Sequence, residues 1–444
     1  MEKIIIEGNH PLKGEVSISG AKNSALPILS AALLAETPSR IKNIPCVKDV
    51  ETMLKIISSL GAKVERKGDM VQIDPTTLSN PFASYEFVST MRASICLLGP
   101  LLTKKGRAKI SLPGGCAIGP RPIDLHLKGL KKLGAKIEIE KGYIIAYGKL
   151  KGDNVDLKGP FGSSVLATAN IMMAACLAEG KTTIFHSAQE PEIVDLANFL
   201  NKMGGKIKGA GERKIEIKGV KALKGTEYTI IPDRIEAITY AIAAIITKGE
   251  IEIKNIIPEH LTFPLKKLKQ TGAKIHLFPE KIRVGAKERP RPLHLTTAPY
   301  PGLPTDIQPM LTALLCLCEG KSVVKEAIYP HRFLYTGELQ RMGANIIPRK
   351  ASIIINGVKQ LKGAKLMASD IRAGASLVLA GLSAKGETTI SRIYHIDRGY
   401  ERLTEKLSTL GAKIKREPEK TPPPVSTENS QDLKHYVKAI LTRK

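Results

Sequence analysis

The sequence predicts an α/β protein assembled from six copies of one unit, and three observations carry that prediction. A short motif recurs: SLGAKV ends at Val64, KLGAKI at Ile137, KMGGKI at Ile207, QTGAKI at Ile275, RMGANI at Ile346 and TLGAKI at Ile414. Its first glycines, Gly61, Gly134, Gly204, Gly272, Gly343 and Gly411, are spaced by 73, 70, 68, 71 and 68 residues. This period exceeds the ~20–50 residues of solenoids and propellers, so each copy is a larger supersecondary unit. Second, two helix types alternate, one amphipathic and one apolar nearly all round. Third, each apolar helix ends in a glycine or polar turn, and most lead into a Thr/Ile-rich strand such as TTIFHSA, IEIKNI or TTISRIYH.

The first copy shows the local logic. In DVETMLKIISSLGAKVERKGDMVQID, Val50, Met53, Leu54, Ile57 and Leu60 follow i, i+3, i+4 spacing, which predicts an amphipathic helix over 49–60. Gly61 suits the left-handed residue that ends such a helix. Residues 62–66 and 70–73 read as two strands joined by a KGD turn. The apolar segments are SALPILSAALLAE, TMRASICLLGPLL, SSVLATANIMMAACLAEG, DRIEAITYAIAAIITKGE, TDIQPMLTALLCLCEG and SDIRAGASLVLAGLSAKGE. A helix without a polar face is a buried helix. Asn23, Thr90, Ser164, Asp233, Asp306 and Asp370 stand where the N-caps of these helices are expected. Lys22, Arg92, Arg234 and Arg372 lie near the same ends. If the pseudo-symmetry turns several such helix starts toward one cleft, their partial positive charges add to these cations, and an anionic, phosphorylated substrate is expected.

Composition bounds the function class. The chain has 444 residues, 43% of them hydrophobic, which is enough for two or three cored domains. No apolar run approaches the ~18 residues of a membrane span. The start, MEKIIIEGNHPLKGE, has no signal-peptide pattern, so a cytoplasmic protein is expected. Cysteines 46, 96, 116, 176, 316 and 318 form no CxxC pair, and no HExxH occurs. A structural zinc site and a disulfide framework are therefore not expected. The net charge of +26 is spread over strand ends and turns, without a zinc finger, helix-turn-helix or RNA-binding aromatic signature. Nucleic acid is not expected as the partner.

The stretch LPGGCAIGPRP, residues 112–122, cannot be a helix interior or a central strand. It is a bent loop holding the Cys116 thiol near Arg121. Taken alone, it fits either a reactive thiol or a small residue in a tight turn.

Several segments together resemble one family. GEVSISGAKNSALPILSAALLAE (14–36), SLPGGCAIGPRPIDLHLKGL (111–130), EPEIVDLANFL (190–200), PDRIEA (232–237), PTDIQP (304–309), DIRAGASLVLAG (370–381) and RIYHIDRGYERL (392–403) are similar, in order, to the UDP-N-acetylglucosamine 1-carboxyvinyltransferases, which are enolpyruvyl transferases. The resemblance implies a two-domain inside-out α/β barrel with three βαβαββ repeats per domain. It implies domains of 22–231 and of 1–21 with 232–416, joined by a double crossover near 21–22 and 230–232. The tail from 417 departs from the family pattern and opens Pro- and Ser/Thr-rich, so disorder is expected there. It implies transfer of enolpyruvyl from phosphoenolpyruvate to the 3′-hydroxyl of UDP-N-acetylglucosamine with release of phosphate, the first committed step of peptidoglycan precursor synthesis. The substrates are expected between closing domains, in a monomer, with no metal or organic cofactor.

The resemblance also assigns roles. Cys116 matches the family's general acid and phosphoenolpyruvate-adduct residue, which implies inactivation by fosfomycin. A cation beside such a thiol lowers its pKa. Asp306 matches the aspartate beside the acceptor hydroxyl. Lys22, Arg121 and Arg398 match the cations around phosphoenolpyruvate and departing phosphate, and Arg372 resembles a further one. Arginine suits both groups because its planar fork binds them bidentately. Asn23, Arg92, Arg121, Pro122, Ile123, Asp124, Leu125, Ser164, Val165 and Ile328 match positions that hold the nucleotide sugar, and His126 follows that run. Leu166 departs from the pattern, because the family carries glycine there, where backbone approaches a diphosphate closely. The tail's end, 431–443, reads as a short basic amphipathic helix. The runner-up within the fold is 5-enolpyruvylshikimate-3-phosphate synthase. A catalytically silent UDP-sugar sensor is the alternative from another class.

Overall fold

A computed structural model describes residues 2–88, 91–112 and 122–419. Cys116, Arg121, Thr90 and the stretch 431–443 lie outside the described residues. Among the described residues the strands form six sheets of four, one per repeat, so the α/β class holds.

The third repeat shows the unit without interruption. Strand Asn154–Asp156 leads into the buried helix Val165–Ala175, then strand Lys181–Phe185, the half-exposed helix Pro191–Lys202, and the strands Ile207–Lys208 and Lys214–Lys218. The first two strands pair in parallel across the buried helix, and the last two close the sheet antiparallel. The buried helix packs into the hydrophobic core, with every residue from Ala167 to Ala175 buried. The first repeat's amphipathic helix is Lys48–Ser59, and its hairpin strands are Lys63–Lys67 and Met70–Asp74. Gly61, Gly134, Gly204, Gly272, Gly343 and Gly411 have φ of 98, 96, 104, 96, 90 and 92°, a region that side-chain-bearing residues rarely adopt. The recurring glycine is therefore the stop signal of six equivalent helices.

Two hydrophobic cores result. One draws on residues between Ala25 and Ile230, the other on Ile4 to Ile18 and Ile235 to Ile414. Strand Lys13–Ser17 pairs in parallel with Glu250–Lys254, and strand Glu227–Thr229 pairs in parallel with Ser39–Lys42. Each of these repeats thus takes its first strand from the opposite side of a chain crossing. The two crossing segments touch: Gly20 bridges Pro232, and the Ala21 amide donates to the Ile231 carbonyl at 2.8 Å. A Cβ on Gly20 would stand 1.7 Å from the Asn43 carbonyl oxygen, so only glycine fits at the crossing.

Two expectations need correction here. Asn23 does not cap the first buried helix, because that helix already begins at Lys22 with Ala21 before it. The chain is also still ordered at 417: Glu417 and Pro418 end strand Lys413–Pro418, paired antiparallel with the N-terminal strand Glu2–Glu7. Among the described residues no helix is long and apolar enough to cross a membrane.

Candidate active site

Ser164, Asp233 and Asp370 cap their helices. Ser164 accepts from the Ala167 amide, Asp233 from Ile235 and Glu236, and Asp370 from Arg372 and Ala373. Asp306 does not. Its helix begins at Gln308 after Ile307, and its carboxylate turns elsewhere. Arg332 Nη1 donates to Oδ1 at 2.9 Å, while Arg372 Nε and Nη2 donate to Oδ2 at 3.2 and 3.1 Å. Both arginines are buried, whereas 29% of the Asp306 side chain stays accessible. Burial alone would raise the Asp306 carboxyl's pKa. The charges of Arg372, Arg332 and Lys22 outweigh it and hold the group well below the usual carboxylate range. Arg372 also lies over the Tyr400 ring, 5.2 Å from its centroid.

A second carboxylate, Asp49, gathers two more of the expected cations. Lys22 Nζ donates to its Oδ2 at 3.1 Å and Arg398 Nε to its Oδ1 at 2.8 Å. Lys22 opens the first buried helix and Asp49 sits in the first turn of the amphipathic helix beside it. Arg398 comes from a segment flanked by Ile396 and Tyr400, which belong to the other core. The Lys22 amide donates to Asp233 Oδ2 at 3.3 Å, tying this cation to the crossing. Lys22, Arg332, Arg372 and Arg398 thus surround two acids where elements of both cores meet.

The remaining expected residues are more dispersed. Asn23 is half-buried in the first helical turn. Arg92 Nη2 donates to the Pro122 carbonyl at 3.1 Å, at the edge of the 113–121 segment. Ile123 precedes helix Asp124–Lys132, whose first turn holds Asp124 and Leu125. Val165 and Leu166 start their helix half-buried against the first core. The Ile328 amide donates to Glu326 Oε1 at 3.0 Å. His126 is buried, with Nδ1 3.1 Å from Asn170 Nδ2 and its pKa pushed down to about 3, by burial first and then by Arg92. Asn170 also receives the Gly99 amide at 2.7 Å and donates to the Ile95 carbonyl at 3.0 Å, so His126 belongs to a helix-packing network.

Sequence reasoning missed Asp49, Arg332 and Glu326. Asp49 reads as an ordinary acidic first-turn residue. Arg332 lies in the turn Pro330–Tyr335, outside any repeat motif. No local spacing reveals a partner 21 or more residues away.

This arrangement can bind a polyanion and hold a hydroxyl. Four cations lie close to each other; Asp306 and Asp49 hydrogen-bond them directly, while Asp370 and Glu326 act on Arg332 and Asp233 on Arg372 through charge. A family profile described as EPSP synthase (3-phosphoshikimate 1-carboxyvinyltransferase) matches residues 6–407. A UDP-N-acetylglucosamine 1-carboxyvinyltransferase of Pseudoalteromonas atlantica is 51% identical over 94% of this chain and 100% of its own length. UDP-N-acetylglucosamine 1-carboxyvinyltransferase 2 of Carboxydothermus hydrogenoformans is 52% identical over 94% of this chain and 99% of its own. Among solved structures, the enolpyruvyl transferase NikO from Streptomyces tendae superposes with a TM-score of 0.86 at 24% identity, over 94% of this chain and 99% of its own. An EPSP synthase from Acinetobacter baumannii gives 0.72 at 22% identity, over 94% and 100%. At these identities the two structures bear on the fold alone.

Proposed function

This chain belongs to the EPSP synthase family, on its UDP-N-acetylglucosamine 1-carboxyvinyltransferase side, and from that premise we propose that it transfers enolpyruvyl from phosphoenolpyruvate to UDP-N-acetylglucosamine in peptidoglycan precursor synthesis. The acceptor is the sugar's 3′-hydroxyl. Its oxygen bonds to C2 of phosphoenolpyruvate while C3 takes a proton and becomes a methyl group. The tetrahedral intermediate then returns a proton from that methyl and expels phosphate, leaving the enol ether.

Cys116 is assigned the acid at C3 and Asp306 the acceptor hydroxyl. Asp306 stands ionised with both oxygens engaged, so it positions the hydroxyl first and takes its proton only as the arginine clamp loosens. Lys22, Arg121, Arg372 and Arg398 receive the carboxylate and phosphate, with Asp49 as the counter-anion that keeps Lys22 and Arg398 together. Asn23, Arg92, Pro122, Ile123, Asp124, Leu125, Ser164, Val165 and Ile328 line the nucleotide-sugar side. Domains 22–231 and 1–21 with 232–416 close over both substrates and exclude water from the intermediate. The enzyme works as a cytoplasmic monomer.

The convergence of Lys22, Arg332, Arg372 and Arg398, drawn from both cores, supports this reading most. The test is phosphate release from phosphoenolpyruvate with either acceptor. Release with UDP-N-acetylglucosamine and none with shikimate 3-phosphate is expected. The reverse assigns the activity in the family profile's name, and no release with either favours a sensor. Preincubation with excess fosfomycin and UDP-N-acetylglucosamine is expected to abolish activity through Cys116.

A further inference from the structure

Glu326 follows strand Lys321–Lys325 and is fully buried. Its carboxylate receives four donors. Oε1 accepts from Thr297 Oγ1 at 2.6 Å and from the Ile328 and Tyr329 amides, each at 3.0 Å. Oε2 accepts from Thr305 Oγ1 at 2.9 Å. The two oxygens serve different neighbours. Thr297 Oγ1 also accepts from the Ala327 amide at 2.9 Å, so the Oε1 side fixes three consecutive amides of one turn. Thr305 Oγ1 accepts from Arg332 Nη1 at 3.0 Å, and that same nitrogen donates to Asp306. A hydroxyl has one proton to give. Because Thr305 gives its proton to Glu326, its lone pairs are left facing Arg332.

We propose that Glu326 is a positioning residue that sets two parts of the acceptor site from one buried carboxylate. Through Oε1 it shapes the 326–329 turn that carries Ile328. Through Oε2 and Thr305 it seats Arg332 against Asp306. The inference rests on the reading of Asp306 and Ile328 as acceptor-side residues, and it adds what holds them in register. Glutamine in place of Glu326 cannot do both tasks. An amide that keeps its oxygen on the turn points N–H at Thr305 Oγ1, so the hydroxyl loses the acceptor of its proton and must reorient, and its lone pairs are no longer fixed on Arg332.

Steady-state kinetics of the full-length chain separate the two halves. Thr305→Val is expected to lower kcat about tenfold and leave KM for UDP-N-acetylglucosamine unchanged, because it removes the Oε2 arm, Thr305's bonds to Glu326 and to Arg332, and leaves the Oε1 bonds to the turn in place. Thr297→Val is expected to raise that KM about fivefold and retain kcat. Glu326→Gln is expected to do both, with KM for phosphoenolpyruvate within about twofold of wild type. Thermal melts confirm that each variant is folded, and if Glu326→Gln does not fold, the two threonine variants decide. Folded variants with wild-type constants overturn the proposal. So does an equal shift in both Michaelis constants, which marks general loosening. A wild type that neither binds the nucleotide sugar by calorimetry nor turns it over overturns the functional reading and this one together. Wild-type turnover with unaltered variants overturns this one alone.

Discussion

The fifth and sixth repeats each place an Asp-Ile dipeptide at the start of their buried helix, Asp306-Ile307 and Asp370-Ile371, and the two aspartates do different things. Asp370 Oδ1 accepts the Arg372 and Ala373 amides at 3.0 and 3.1 Å, an ordinary cap. Asp306 gives its helix nothing and is held by Arg332 and Arg372 instead. The cations arrive from 26 and 66 residues away. The lesson is that a repeat sets where an aspartate stands, while non-local partners decide whether it caps or serves a site. Asp49 extends the comparison. It too lies in a first turn, and its partners Lys22 and Arg398 are 27 and 349 residues distant.

Breaking the non-local group is expected to have the largest effects. Asp49→Asn leaves buried Lys22 and half-buried Arg398 without their shared counter-charge. It is expected to destabilise the chain by about 3 kcal/mol and raise KM for phosphoenolpyruvate roughly tenfold. A denaturant melt and initial-rate kinetics check both. Arg332→Met removes one arm of the Asp306 clamp. Its expected destabilisation is about 2 kcal/mol, below the ~3–5 of a fully severed buried pair because Arg372 remains. His126 tests the network that sequence left open. The unfolded histidine binds a proton near 6.5, but the folded one does so only near 3. Stability therefore falls as pH drops between those values, by up to about 1.4 kcal/mol per unit. His126→Gln should flatten that slope in melts run from pH 7 to 4. Asp370→Ala sits at the small end, at about 1 kcal/mol, and Asp370→Asn should be nearly neutral because asparagine caps equally well.

The legible part of the molecule was the local part. The six glycine stops, the alternation of helix types and the caps at Ser164, Asp233 and Asp370 each depend on residues within one turn. Asn23 misled because Lys22 already opens the helix, so a good capping residue was simply its second position. The exchange of first strands between Lys13–Ser17 and Glu227–Thr229 is a non-local pairing that local pattern does not encode; only the family resemblance implied that crossing. Lys22, Arg372 and Arg398 were identified by motif, but their carboxylate partners were not. An ion pair closed across several helices has no sequence period. Cys116 and Arg121 rest on their motif, outside the described residues.

The central claim is that Asp306 has been taken from capping and given to chemistry while its counterpart Asp370 has not. Initial rates of phosphate release at saturating phosphoenolpyruvate and UDP-N-acetylglucosamine, for Asp306→Asn and Asp370→Asn side by side, test it directly. The first should fall by roughly 10²–10⁴-fold, and the second should stay within about threefold of wild type. Equal losses, or an Asp306→Asn enzyme near the wild-type rate, would contradict the account.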